Sequence, residues 1–135
     1  MKLLYLFLTL FILLLGCEKG CYDCPECIIG EWQLISRCGG ITGDCWYPDE
    51  DHQVKVVFTS TNKYFRYSNG EKIIEYNYEL GTTTEIDGVK YYEITFIPPE
   101  GVTDIFEWST EFWFSDKKYV NIPGGDFVDK FERTK

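Results

Sequence analysis

Alanine is absent from this chain and histidine occurs once, at His52. Alanine is the best helix former, whereas the ten Tyr, ten Phe and four Trp present favour strands. These two facts count against a helical class and point to an all-β one. Basic residues are also few: 13 Lys and Arg stand against 22 Asp and Glu, a formal charge of -9. That balance argues against nucleic acid as a partner, because phosphate binding needs clustered cations. No Gly-x-Ser-x-Gly, His-Glu-x-x-His or phosphate-binding loop occurs, so the expectation is a non-enzyme with no catalytic residues, cofactor or metal. Internal repeats, heptads and a sustained 3.6-residue period are missing too. At 135 residues there is room for one folded domain.

Nor does any apolar run reach the ~20 residues of a membrane-spanning helix. The longest, Leu3 to Leu15, is about 13 residues long and follows Met1-Lys2. That arrangement suits the core of a signal peptide. It ends in Leu14-Leu15-Gly16-Cys17, which resembles the lipobox of bacterial lipoproteins. The resemblance implies cleavage before Cys17, acylation of its thiol, and a protein lipid-anchored to a membrane of the cell envelope, at the outer membrane or cell surface. Acyl chains contribute roughly 0.8 kcal/mol per buried methylene, enough for stable anchoring when several are attached. Loss of residues 1–16 removes Lys2 and takes the formal charge from -9 to about -10. Residues 17–27, Cys-Glu-Lys-Gly-Cys-Tyr-Asp-Cys-Pro-Glu-Cys, lack alternation and read as a Cys-rich tether, leaving 28–135 as the folded domain.

Within 28–135, period-2 alternation marks strands. The first is Ile28 to Arg37, with Trp32 and Leu34 on one face and Glu31, Gln33 and Ile35 on the other. A long loop, Cys38 to Asp51, leads to a strand carrying Val54, Val56 and Phe58. Tyr64 to Ser68 then turns at Asn69-Gly70, a strong hairpin signal because both positions tolerate positive φ, into Lys72 to Leu80. Gly81 to Glu85 reads as a polar connection, followed by a turn at Ile86-Asp87-Gly88 and a strand from Val89 to Ile97. Asp104 to Trp108 and Glu111 to Ser115 read as two strands around Ser109-Thr110, with a turn or bulge at Asp116-Lys117-Lys118 and Tyr119 to Ile122 extending the second. The last strand, Phe127 to Arg133, places Phe127, Asp129, Phe131 and Arg133 on one face. Eight antiparallel strands joined by tight turns predict an up-and-down barrel, since closure removes exposed aromatic edges.

Gly30-Glu31-Trp32, Cys38-Gly39-Gly40-Ile41-Thr42-Gly43, Tyr47-Pro48, Phe58, Asn69-Gly70 and Phe131-Glu132-Arg133 together resemble the short lipocalin-like domains of bacterial lipoproteins. The resemblance covers about Ile28 to Lys135. It implies that Gly30, Trp32 and Arg133 form a structural plug at the closed end, with the arginine packed across the tryptophan. It also implies that the first loop, with Trp46 and Tyr47, overhangs the open mouth, either as a lid over a ligand or as a loop packing its own aromatics. The expectation is a shorter barrel than in full lipocalins, without their C-terminal helix.

Cys21-x-x-Cys24-x-x-Cys27 has a spacing compatible with a metal. However, Glu31 stands where a fourth iron–sulfur cysteine would fall, and no fourth zinc ligand lies at motif spacing. In an oxidising compartment disulfides are favoured. Cys38 and Cys45 flank a glycine-rich turn and form the preferred pair, closing a loop of about eight residues. Such a loop contributes ~2–3 kcal/mol under the chain-entropy model. The pairing of Cys21, Cys24 and Cys27 stays open, and Cys24-Pro25-Glu26-Cys27 lacks the helical context of a redox motif. Asp44, Asp49, Glu50 and Asp51 do not follow a calcium-loop spacing. Glu93, Glu107 and Asp129 are candidates to face inward, where acids commonly hydrogen-bond Tyr hydroxyls.

Two functions remain in view. One is a binding module that takes a small, partly apolar ligand at the mouth near Trp46 and Tyr47. The other is a solid barrel whose acidic loops dock a cationic protein partner, as in small lipoprotein barrels that inhibit lysozyme, although their glycine-serine motif is missing here.

Overall fold

The computed structural model describes residues 24–103, 105–116 and 118–135. The expected signal segment, Cys17 and Cys21 lie outside these residues. Among the described residues nine strands follow in order: β1 (Gly30–Gly39), β2 (Cys45–Trp46), β3 (Val54–Phe58), β4 (Lys63–Ser68), β5 (Glu71–Ile86), β6 (Val89–Ile97), β7 (Trp108–Ser115), β8 (Tyr119–Gly124) and β9 (Phe127–Arg133). Apart from β2, a two-residue strand held against the end of β1, each pairs antiparallel with its neighbour in sequence, and β1 pairs with β9. The result is the expected all-β, closed eight-stranded up-and-down barrel.

Alternation places the core. Trp32, Leu34, Val56, Phe58, Tyr76, Tyr78, Tyr92, Ile94, Phe96, Phe112 and Phe131 all point inward and are buried. Fully burying one such side chain contributes ~1.5–3 kcal/mol, so this interior is the main stabilising term. Phe58, Tyr64, Tyr76 and Phe96 pack edge-on or tilted, with ring centroids 4.8–6.4 Å apart. The hairpin at Asn69-Gly70 forms as expected, with φ of 50° and 83°.

Three expectations are corrected. Ser109 and Thr110 do not turn the chain: β7 runs through them, and the Thr95 and Ser109 side-chain oxygens are 2.8 Å apart across the β6–β7 pair. The turn comes at Asp116, at φ 53°, and Tyr119–Gly124 is a strand of its own. Gly81 to Glu85 is not a connection but the second half of β5, where β-branched threonines suit a pleated strand. A one-residue bulge between Leu80 and Thr83 absorbs the glycine. Finally, the last four residues of the expected tether belong to the folded unit. Cys24 is disulfide-bonded to Cys27, Pro25–Ile28 form a 3-10 turn, and Cys27 and Ile28 are 3% and 0% exposed.

That turn stoppers one end of the barrel. The Trp32 indole Nε1 donates to the Ile28 carbonyl at 2.7 Å, and the Arg133 guanidinium lies 4.2 Å from the Trp32 ring centroid. Arg133 also donates to the carbonyls of Ile29, at 3.1 Å, and Cys27. Gly30 has a φ of 143°, and a Cβ there would lie 2.5 Å from the Lys135 carbonyl oxygen. Only glycine fits that position.

Candidate functional site

The other end of the barrel is open. Phe131, Phe96 and Tyr64 form the floor of a cavity of about 210 Å³, whose rim includes Trp108, Pro123 and Gly124. Trp108 stacks on Phe96, with centroids 4.4 Å apart and planes at 19°, and is 37% exposed at the mouth. Ile74 and Ile122 add aliphatic wall, and Tyr76 completes the aromatic side.

Three charged side chains share this cavity: Arg37 from β1, Arg66 from β4 and Asp129 from β9. Asp129 is 8% exposed. Its carboxylate accepts from Arg37 Nε at 2.5 Å and Arg37 Nη2 at 2.7 Å, a bidentate pair. The hydrogen bond to Asp129 holds the Arg37 guanidinium even more firmly protonated than an ordinary arginine. Arg66 Nη1 stands 3.9 Å from the Asp129 Oδ2, close enough to attract but too far to hydrogen-bond. Burial pushes the Tyr64 hydroxyl up, while the neighbouring Arg66 pulls it the other way, so at neutral pH the hydroxyl keeps its proton.

Arg37 reaches this site through an irregularity in β1. Leu34 pairs with Phe131 and Arg37 with Asp129 across the β1–β9 seam, with a register shift between Leu34 and Ser36. Strict alternation from Trp32 and Leu34 would turn residue 37 outward; the bulged residue reverses the parity and turns it in. No period-2 reading of the sequence could find Arg37 for that reason. Arg66 was within reach, since it alternates with the inward Tyr64 on β4.

The expected site residues are distributed as follows. Trp32, Gly30 and Arg133 meet at the closed end, as described above. Cys38 and Cys45 are disulfide-bonded and pair as neighbours between β1 and β2. Trp46 does not line the interior cavity. It is 42% exposed, its ring stands edge-on 6.3 Å from His52, and it borders a shallow groove with Gly40, Ile41, Asp44 and Phe127 beside the mouth. Tyr47 is 66% exposed and lines neither space. Of the three candidate inward acids, only Asp129 faces in, and its partners are arginines rather than tyrosines. Glu93 faces out and accepts from the Thr82 backbone N–H at 3.2 Å and its hydroxyl at 3.1 Å, while Glu107 is exposed ahead of β7. In the first loop, Asp49 is bound to His52 Nδ1 at 2.7 Å and to the Asp51 N–H at 3.0 Å.

The cavity therefore offers a polar corner and an apolar wall. Comparison with known protein families, with curated proteins and with solved structures finds no match to this chain.

Proposed function

We propose that this chain is a lipid-anchored lipoprotein whose lipocalin-like barrel binds a small, partly apolar ligand in the mouth cavity. The observation that carries the reading is the 210 Å³ space between the stacked Phe96–Trp108 pair and the Arg37–Arg66–Asp129 corner. A barrel packed solid, as the docking alternative requires, would leave no such space. The volume lies below the ~300–1,000 Å³ of sites for drug-sized molecules, so haem and sterols are too large.

The described chain begins at the closed end, opposite the cavity. Cys17 precedes Cys24 by about seven residues, and Cys24 leads into the turn that stoppers the closed end. Seven residues span at most ~25 Å when extended. Acylation of Cys17 therefore holds the closed end towards the bilayer and turns the mouth towards the surrounding solution.

Two experiments test this. Native mass spectrometry of the protein released from its own membrane should find a small molecule bound at one per barrel. A thermal-shift screen with small aromatic and aliphatic compounds should find ligands that raise the melting temperature. A wholly empty barrel together with no hit in the screen would remove the ligand reading. Cys17→Ser should move the protein from the membrane to the soluble fraction; unchanged membrane association would remove the anchor.

A further inference from the structure

Arg66 is the unusual group in this cavity. Both oxygens of Asp129 are committed to Arg37 at hydrogen-bond distance, and Arg66 is left at 3.9 Å. Its side chain is only 21% exposed. The residues opposite it on the flanking strands are Val56 and Ile74, which bring no charge, and Tyr64, two residues before it on β4, takes one of its five N–H donors through its hydroxyl. Two arginines against one aspartate leave the cavity with a local charge of +1, in a chain whose formal charge is -9. A half-buried guanidinium with spare donors is costly to keep out of water unless an anion completes it. Its planar fork matches carboxylate, sulfate and phosphate oxygens in particular.

The opposite wall specifies the rest of the ligand. Phe96 and Trp108 present a flat stacked surface that continues to the rim, with Ile74 and Ile122 at its sides. A volume of 210 Å³ equals that of ~7 waters, which admits a short chain or single ring and excludes a diacyl lipid.

We propose that the mouth cavity is a site for a small anionic amphiphile, its acid group paired with Arg66 and its apolar part laid against Phe96 and Trp108. This deepens the ligand-binding reading and rests on it. The acidic outer surface does not oppose such a ligand once it is inside, because exposed charges beyond ~8 Å are screened at physiological salt while the partly buried Arg66 is not. The outer acids slow its approach instead, so association is faster at higher salt.

The test uses the full chain in lipid nanodiscs, with empty nanodiscs as the reference for partitioning, and a matched series: 3-phenylpropanoate, 3-phenylpropanol and 3-phenylpropylamine. Calorimetric titration should give at least ~10-fold tighter binding of the acid than of the alcohol, with the amine weakest; a tenfold difference is the scale of one charge-assisted hydrogen bond. Arg66→Met should remove the preference for the acid. If acid and alcohol bind the wild-type barrel equally, the anionic assignment is overturned while ligand binding stands. If no member of the series binds, the anionic-amphiphile assignment falls, while the ligand reading is decided separately by the native mass spectrum and the thermal-shift screen. An acid preference that survives Arg66→Met in a folded variant overturns the role of Arg66.

Discussion

Asp129 stands directly opposite Arg37 across the β1–β9 seam, and its two carboxylate oxygens hold Arg37 Nε and Nη2 at 2.5 and 2.7 Å. This pair closes the polar corner of the cavity and draws the open half of the seam together. Asp129→Asn should lower stability by about 1–2 kcal/mol, the lower part of the range for a paired charge because Arg37 is more than a third exposed. The same substitution raises the cavity charge from +1 to +2 and should tighten binding of 3-phenylpropanoate. Urea denaturation and calorimetry on one variant check both directions. Loss of stability with no gain in acid affinity would mean that the pair has only a structural role.

At the closed end, Trp32→Ala should cost about 3–5 kcal/mol, the range for emptying a buried aromatic site. Arg133→Met keeps much of the packing but loses the stacked charge and its two carbonyl partners, so about 1–3 kcal/mol is expected. Neither change touches the cavity lining, so ligand affinity of the folded fraction should hold. A Trp32→Ala variant with an unchanged melting point and no ligand binding would reverse the assignment of the two ends.

Gly30→Ala tests the backbone there. A φ of 143° and a Cβ 2.5 Å from the Lys135 carbonyl oxygen together predict destabilisation of about 2 kcal/mol or more. Chemical denaturation that shows a loss below ~0.5 kcal/mol would indicate that residues 134 and 135 can move aside.

The Cys38–Cys45 bond pins β2 and the glycine-rich loop to the end of β1. A Cys38→Ser, Cys45→Ser double variant should lose about 2–3 kcal/mol. Its Gly39–Asp44 amides should exchange faster with solvent, while those of Trp32 and Leu34 keep their protection relative to the new global stability. Uniform loss of protection in excess of that stability change would show that the loop contributes to the whole barrel.

The buried tyrosines set an alkaline limit. Burial pushes the Tyr64 and Tyr78 hydroxyls up, so above the ~10 of a free tyrosine the unfolded chain releases protons that the folded chain retains. Stability should not depend on these groups below pH ~10 and should fall as pH rises above it. Melting temperatures measured across that interval should fall less steeply in Tyr64→Phe. An identical fall in Tyr64→Phe and Tyr78→Phe would place the alkaline transition elsewhere.

Composition and alternation determined the class of this protein and most of its strands. A chain with no alanine and 24 aromatics has few ways to build helices, and inward positions such as Val56, Phe58, Tyr76, Tyr78 and Phe131 are visible in period-2 patterns. Positive-φ turn residues placed Asn69-Gly70, and a short glycine-rich span between cysteines identified Cys38 and Cys45. Two kinds of feature escaped. Ser109-Thr110 reads as a turn because small hydroxyl residues are common in both turns and exposed strands, and only hydrogen bonding to β6 distinguishes them. The mouth site escaped because Arg37 faces inward only through the bulge near Ile35, and Asp129 finds it only when β9 closes against β1. A bulge inverts every facing after it, and closure joins residues 92 positions apart. Neither follows from local pattern, because both are settled by the register at which the barrel closes.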